Sequence, residues 1–255
     1  MATWGDNVYV VYKELGYSTG GIYLIKSSDN GITWGDTVRV DNLTTGFANY
    51  PDLVVQNDTI WVTFMDHDDG GGTNPQYVVT RSTDGGTTFE PEVPAGISIG
   101  DEACDCCQPE LIVNSNYVVL FLRNNMSNVR DIKGVVSADR GATFPTVIDV
   151  DNHNWVITSC PSTGPDARFT TNDTILTVYK SETGGQAKVY LNQFSLGSGT
   201  SVNTIDLSEN YSNPNYPQIC YVNGKTGIVW EAQGQQSDIY FNAMSNGVAA
   251  FDTSA

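Results

Sequence analysis

Ser27-Ser28-Asp29-Asn30-Gly31-Ile32-Thr33-Trp34, Ser82-Thr83-Asp84-Gly85-Gly86-Thr87-Thr88-Phe89 and Ser137-Ala138-Asp139-Arg140-Gly141-Ala142-Thr143-Phe144 are three copies of one pattern, S-x-D-x-G-x-T-aromatic. Their aspartates stand at 29, 84 and 139, so the copies are spaced by 55 residues each time. Each part of the pattern has a physical job. The Asp accepts hydrogen bonds from the amides of its own turn. The Gly takes a positive φ that other residues resist. The aromatic re-enters a strand and is expected to anchor the hairpin in a core. A period of 55 residues suits one four-stranded blade of a β-propeller better than a helical repeat.

A second repeat lies between these copies. Tyr50-Pro51-Asp52-Leu53-Val54-Val55, Gln108-Pro109-Glu110-Leu111-Ile112-Val113, Gly164-Pro165-Asp166-Ala167-Arg168-Phe169 and Tyr216-Pro217-Gln218-Ile219-Cys220-Tyr221 align without gaps. Each precedes a short polar turn and another apolar run, a strand and hairpin signal. The expected fold is therefore all-β, a propeller of four-stranded antiparallel blades with strands A to D. Strand A follows the proline, and the S-x-D-x-G turn joins strands C and D in blades 1–3. The whole chain, 1–255, reads as one domain of about five blades, near 1–49, 50–106, 107–162, 163–215 and 216–255. Blades 4 and 5 lack the turn motif. Blade 1 begins at the end of its strand A, which leaves an unpaired edge. Three remedies stay open: closure by Val248-Ala249-Ala250-Phe251, residues missing before Met1, or a strand donated by a neighbouring chain, which would build an oligomer or filament.

The turn pattern resembles the Asp-box, or bacterial neuraminidase repeat, of sialidase-like β-propellers. The structural residues of that resemblance are Ser27, Asp29, Gly31 and Trp34; Ser82, Asp84, Gly86 and Phe89; and Ser137, Asp139, Gly141 and Phe144. It covers almost the whole chain as fold. A sialidase would also hold its substrate carboxylate with three arginines, use a Tyr–Glu pair as nucleophile and an Asp as acid/base, with an Arg-Ile-Pro signature at the first arginine. No Arg-Ile-Pro occurs here. Arg39 follows the first box, while Arg81 and Arg140 flank the others. Only Arg123, Arg130 and Arg168 are placed to reach the channel mouth. Sialidase activity is thus not expected.

Twelve Lys and Arg stand against 29 Asp and Glu, a formal net charge of −17. Such a surface repels nucleic acid and anionic membrane and favours solubility. No apolar run reaches the length of a membrane span. Met1-Ala2-Thr3-Trp4 enters strand-type sequence at once, which reads as a mature or trimmed form. Sequons begin at Asn42, Asn57, Asn125, Asn172 and Asn210 and read mostly as turn chemistry. The expected location is extracellular or cell-surface.

In a propeller the A–B turns and the boxes lie on one face, the B–C and D–A loops on the other. The residues with chemistry fall mainly on the second face. Cys104, Cys106 and Cys107 occupy the D–A loop before blade 3, and Cys160 the one before blade 4. Two disulfides among these four are one expectation. The other is a metal site, with His67 and His153 from the same face, suited to copper(I) or zinc. Cys220 falls inside strand A and is expected to be a buried small hydrophobe. Asp66 and Asp68 begin an acidic, Gly-rich loop that offers oxygens to calcium without EF-hand spacing. Asp52, Glu110 and Asp166 share one position of strand A, with Gln218 in blade 5. Such carboxylates can divide acid and base roles in glycoside hydrolysis, or each can cap backbone amides of a neighbouring blade as part of the repeat. Arg168, also in strand A, is expected to pair with an acid. Catalytic candidates are Asp52, Glu110, Asp166 and Arg168; ligand-binding candidates are Arg123, Arg130, Arg168 and Glu110. Three function classes follow: a glycan- or metal-binding module, a glycoside hydrolase or polysaccharide lyase, and a self-assembling protomer.

Overall fold

The computed structural model describes residues 1–14, 16, 20–67, 76–96, 103–208, 211–233 and 237–245. Its strands form five antiparallel sheets, each running in chain order. The first holds β1 (Ala2–Trp4), β2 (Asn7–Lys13), β3 (Ile22–Ser27) and β4 (Val38–Arg39). The second holds β5 (Phe47–Gln56), β6 (Thr59–His67), β7 (Gln76–Ser82) and β8 (Val93–Pro94). The third holds β9 (Glu110–Val113), β10 (Val118–Arg123), β11 (Ile132–Ser137) and β12 (Thr146–Asp149). The fourth holds β13 (Asp166–Phe169), β14 (Thr174–Thr183), β15 (Gln186–Ser195) and β16 (Thr200–Asp206). The fifth, three-stranded among the described residues, holds β17 (Pro214–Val222), β18 (Lys225–Gln233) and β19 (Ser237–Ser245). Among the described residues no helix is long and apolar enough to cross a membrane.

The chain divides into two compact units. One comprises Met1–Asp105, Leu111–Leu120 and Val135–Val147; the other comprises Cys106–Glu110, Phe121–Gly134 and Ile148–Ala255. In the first, Leu24, Val55, Ile60, Val62, Phe64 and Val78 form an apolar core, with Phe89 packed against it. In the second, Leu176, Val178, Leu191, Ile219, Ile228 and Trp230 do the same. β6 is buried on both faces and accordingly reads as a near-continuous apolar run. β18 alternates instead. Its Ile228, Trp230 and Ala232 are buried, whereas Ile239 and Phe241 on β19 are 74% and 65% exposed.

The three S-x-D-x-G turns join the third and fourth strands of sheets one to three and share a common set of hydrogen bonds. The Gly31, Gly86 and Gly141 amides donate to the hydroxyls of Ser27, Ser82 and Ser137 at 2.8, 2.8 and 2.7 Å. The Thr33, Thr88 and Thr143 hydroxyls donate to the Asp29, Asp84 and Asp139 carboxylates at 2.6 Å. All three glycines have positive φ, between 86° and 91°. The aromatics differ: Phe144 is buried, while Trp34 is 43% exposed and does not act as the core anchor expected of it.

Within the first unit, the cation just before each of the first two box serines reaches the next box. Lys26 Nζ donates to the Gly85 carbonyl at 3.4 Å and Arg81 Nη1 to the Arg140 carbonyl at 2.9 Å. Trp61 adds its indole N–H to the same Arg140 carbonyl at 3.0 Å, and the Arg140 guanidinium lies 5.1 Å from the Trp61 ring.

These turns have a pH signature. Hydrogen bonds from the Ser137 and Thr143 hydroxyls hold the Asp139 carboxyl down at about 2. The Thr33 side chain and amide, then Ser27, do the same for Asp29, also about 2, and Thr88 and Ser82 lower Asp84. A carboxyl lower in the folded than in the unfolded chain stabilises the fold above its unfolded pKa, about 4. That contribution is lost as pH falls through about 2. Thermal unfolding followed from pH 5 downward should show Tm falling across that window, with a smaller fall in Asp139→Asn.

Candidate ligand site

The Pro-initiated strands set the geometry. In β5 and β17 the pairing register shifts at the same place, between Asn49 and Asp52 and between Asn215 and Gln218. The residue before the proline takes a positive φ in both, 52° at Tyr50 and 49° at Tyr216. This bulge re-aims the residue that follows. Asp52 Oδ2 accepts the Leu111 amide at 2.8 Å, and Asp166 Oδ2 accepts the Ile219 amide at 2.7 Å. Leu111 and Ile219 each follow the aligned position of their own strand, at Glu110 and Gln218. In both pairs the strand-A acid caps the backbone of the next innermost strand.

Glu110 departs from that pattern through Arg168. Arg168 Nη1 donates to Glu110 Oε1, to Asp166 Oδ1 at 2.6 Å and to the carbonyl of Ala167. The Arg168 side chain is 40% exposed, Glu110 18% and Asp166 3%. Burial opposes the charge on Arg168, but the two carboxylates outweigh it and hold the guanidinium above its ordinary value. Nε and Nη2 have no partner among the described residues. One nitrogen is therefore locked by two acids, and a pre-oriented fork is left for a ligand.

A separate cleft of about 520 Å³ is lined by Glu182, Lys188, Ser208, Tyr211 and Asn213, and neither Arg168 nor Glu110 is among its lining residues. Its walls are the β14–β15 turn and the loop from β16 to β17. Asp166 pairs with Val178, so β13 starts toward that same turn. Tyr211 packs against Tyr240 at 4.1 Å and edge-on to Trp230 at 5.7 Å. Lys188 is paired with Asp206. Residue spacing did not single out Tyr211. The signal present was the strand B–C and D–A loop assignment, which groups these loops at one end of the fourth sheet.

The other candidates lie elsewhere. Arg123, expected at a binding surface, is 1% exposed. Its guanidinium donates to the carbonyls of Thr163 at 3.0 Å, Lys180 at 2.9 Å and Arg130, and lies over the Trp155 ring at 5.3 Å. Arg130 is buried and donates to the Ile157 carbonyl. His67 is the last residue of β6, not a loop residue; it is buried and stacks on Phe47 at 4.3 Å. Asp66 lies beside it on β6, and Asp68 lies outside the described residues. His153 pairs through Nδ1 with the buried Asp151 and stacks on Tyr190 at 4.2 Å. Asp131 accepts the Asn154 and Trp155 amides at 3.0 Å, and burial, then the Asp151 charge, pushes its carboxyl up. These groups shape the 150–157 loop.

The cysteines correct two expectations. One disulfide, Cys106–Cys160, is formed, not two; Cys104 and Cys107 are buried and lie outside it. Cys220 is exposed. On β17 the core-facing residue is Ile219, so its neighbour lies on the opposite face.

No protein-family model matches the sequence, and no curated protein matches it. Solved structures do. A protein of unknown function from Dyadobacter fermentans superposes with a TM-score of 0.61 at 16% identity, over 88% of this chain and 62% of that one. A Hadza microbial sialidase gives 0.52 at 17% identity, over 84% and 42%. A GH93 α-L-arabinofuranosidase of Fusarium graminearum, solved with arabinobiose, gives 0.61 at 17% identity, over 90% and 71%. The fold is a β-propeller. The chain spans 62% and 42% of the first two of these proteins. In propeller terms each sheet is a blade, and Arg168 stands on an innermost strand.

Proposed function

We propose that this chain is an extracellular, carbohydrate-recognising propeller, read as one domain with three Asp-box turns, that binds a neutral glycan through Arg168, Glu110 and the Tyr211 cleft. The carrying observation is the half-exposed Arg168 fork locked by two carboxylates. One arginine against two acids leaves that cluster net negative, and the whole chain carries −17. An anionic sugar is therefore repelled, whereas hydroxyl groups can accept from Nε and Nη2 and donate to Glu110. The burial of Arg123 and Arg130 supports the same choice, since both are turned to backbone carbonyls and not to a substrate carboxylate. Tyr211 supplies an aromatic surface for a sugar ring.

The enzyme reading keeps one specific support: the similar structures include glycosidases, and Glu110 is a partly exposed carboxylate beside a second acid. Calorimetric titration with neutral arabino- and xylo-oligosaccharides, sialosides and oligouronates tests both readings. Neutral glycans should bind and acidic ones should not, and Arg168→Met and Tyr211→Ala should each weaken binding about tenfold or more, the scale of one lost hydrogen bond to a charged group. Binding of sialosides, or neutral-glycan affinity unchanged in both variants, overturns the proposal. Release of reducing ends that vanishes in Glu110→Gln would establish the hydrolase.

A further inference from the structure

The first unit has a cleft of its own, about 230 Å³, lined in part by Glu14, Gly21, Tyr23, Arg39 and Thr44. Three strands of the first sheet build one wall. Tyr12 pairs with Tyr23 across β2 and β3, and Tyr23 with Arg39 across β3 and β4. Residues directly opposite one another share a face of the sheet, so these three form a row. The face is the one opposite the core side chains of Ile22, Leu24 and Val40. The two tyrosine rings stack at 6.0 Å with 26° between their planes.

Arg39 ends the row and is held in place. Its Nε and Nη2 donate to Asp41 Oδ1 at 3.1 and 2.8 Å, and Nη2 also donates to the Leu43 carbonyl at 2.9 Å. Asp41 is fixed in turn, because its Oδ2 accepts the Ile22 amide at 2.6 Å and its Oδ1 the Leu43 amide at 3.2 Å. A Cβ on Gly21 would stand 2.3 Å from Asp41 Oδ2 and 3.2 Å from Arg39 Nε, so the pair occupies space that a side chain there would fill. The Arg39 side chain is 50% exposed and that of Asp41 is enclosed. Arg39 Nη1 has no partner among the described residues.

The Tyr211 cleft has the same place in the fourth sheet. There the Leu207 amide donates to the Val189 carbonyl at 2.9 Å and the Val189 amide to the Ser208 hydroxyl at 2.8 Å. In the first sheet the Val40 amide donates to the Ile22 carbonyl at 2.8 Å and the Ile22 amide to Asp41. In both, the residue two past the fourth strand caps the third. Each cleft is lined by a glutamate from the end of the second strand, Glu14 or Glu182, and by a cation paired with an acid, Arg39 with Asp41 or Lys188 with Asp206.

We propose that the first-unit cleft is a second sugar site, in which Tyr23 stacks on the ring of one neutral sugar residue, Arg39 Nη1 donates to its hydroxyls and Glu14 accepts from them. The ligand class rests on the neutral-glycan reading above, but the site uses none of its residues. Pockets for drug-sized ligands run to about 300–1,000 Å³, so this smaller one suits a single sugar unit. Asp41 neutralises Arg39 and Glu14 adds a negative charge, so an anionic sugar finds no spare cation here. A tyrosine face beside an anchored guanidinium fork suits a ring that carries both C–H and hydroxyl groups.

The test is calorimetric titration of the full chain with a neutral arabino- or xylo-oligosaccharide, read as stoichiometry. The unaltered chain should take two equivalents and Arg168→Met one. On the Arg168→Met background, Arg39→Lys and Tyr23→Ala should each weaken the remaining site about tenfold or more. Arg39→Lys keeps a cation for Asp41 and removes only the fork, so it decides the matter should Tyr23→Ala fail to fold. One equivalent that disappears in Arg168→Met, or remaining affinity undiminished in Arg39→Lys, overturns this site and leaves the Arg168 reading standing. One equivalent that survives Arg168→Met and weakens in Arg39→Lys supports this site and overturns the Arg168 reading. No binding at all overturns both.

Discussion

Gly164→Ala is expected to separate the innermost strands of blades 3 and 4 and to abolish glycan binding together with part of the stability. A Cβ at position 164 would stand 1.9 Å from the Gln108 carbonyl oxygen and 2.9 Å from its carbon. Both are backbone atoms, so no side chain can rotate out of the way. The chain must move, and overpacking of this kind costs about 1–3 kcal/mol and occasionally more. The movement falls where the site is built. Gln108 lies two residues before Glu110, and Gly164 two before Asp166. Their close approach is what places Arg168 Nη1 on both carboxylates. Affinity should therefore fall more than stability alone requires. Thermal unfolding and a glycan titration on the same preparation check this; an unchanged Tm would refute the close approach.

Arg123→Met should be the most destabilising single change in the second unit. Methionine fills much of the volume but donates nothing. The carbonyls of Thr163, Arg130 and Lys180 lose their common donor in a buried setting. Each unsatisfied buried group costs about 1–3 kcal/mol, so a total loss of at least about 3 kcal/mol is expected, measured by chemical denaturation. Arg123→Lys should lose less, because an ammonium still donates but cannot reach three carbonyls in one plane. A loss below about 1 kcal/mol in the Met variant would show that water replaces the guanidinium, which would remove the structural role assigned to it.

These two expectations mark where sequence reading stops. The strands, their order and the turn hydrogen bonds were legible because they are local. Serine, aspartate, glycine and threonine within eight residues make the hydrogen bonds inside each box. The Tyr-Pro pairs at 50–51 and 216–217 likewise announce the same bulge twice. The acid at the shared strand-A position was legible as a repeat feature, and the alternative in which it caps a neighbouring blade describes Asp52 and Asp166.

Long-range placement was not legible. Arg123 and Arg168 have the same charge and both stand in strands, yet one is enclosed by three carbonyls and the other stands half in solvent. No local pattern separates them, because burial of a guanidinium depends on which carbonyls happen to converge. His67 and His153 misled for the same reason: each is matched by a partner distant in sequence, Phe47 for one ring and Tyr190 for the other. The cysteines allowed several pairings by spacing, and only coordinates single out Cys106–Cys160.

The sequence by itself determined the repeating unit: period, strand polarity and box chemistry are written in contacts between residues a few positions apart. Tertiary structure alone decided which charged and sulfur-bearing side chains meet. Two of those encounters join residues more than 50 positions apart, Cys106–Cys160 with a separation of 54 and Glu110–Arg168 with 58. Their energies depend on the packing around them, which spacing along a chain does not carry.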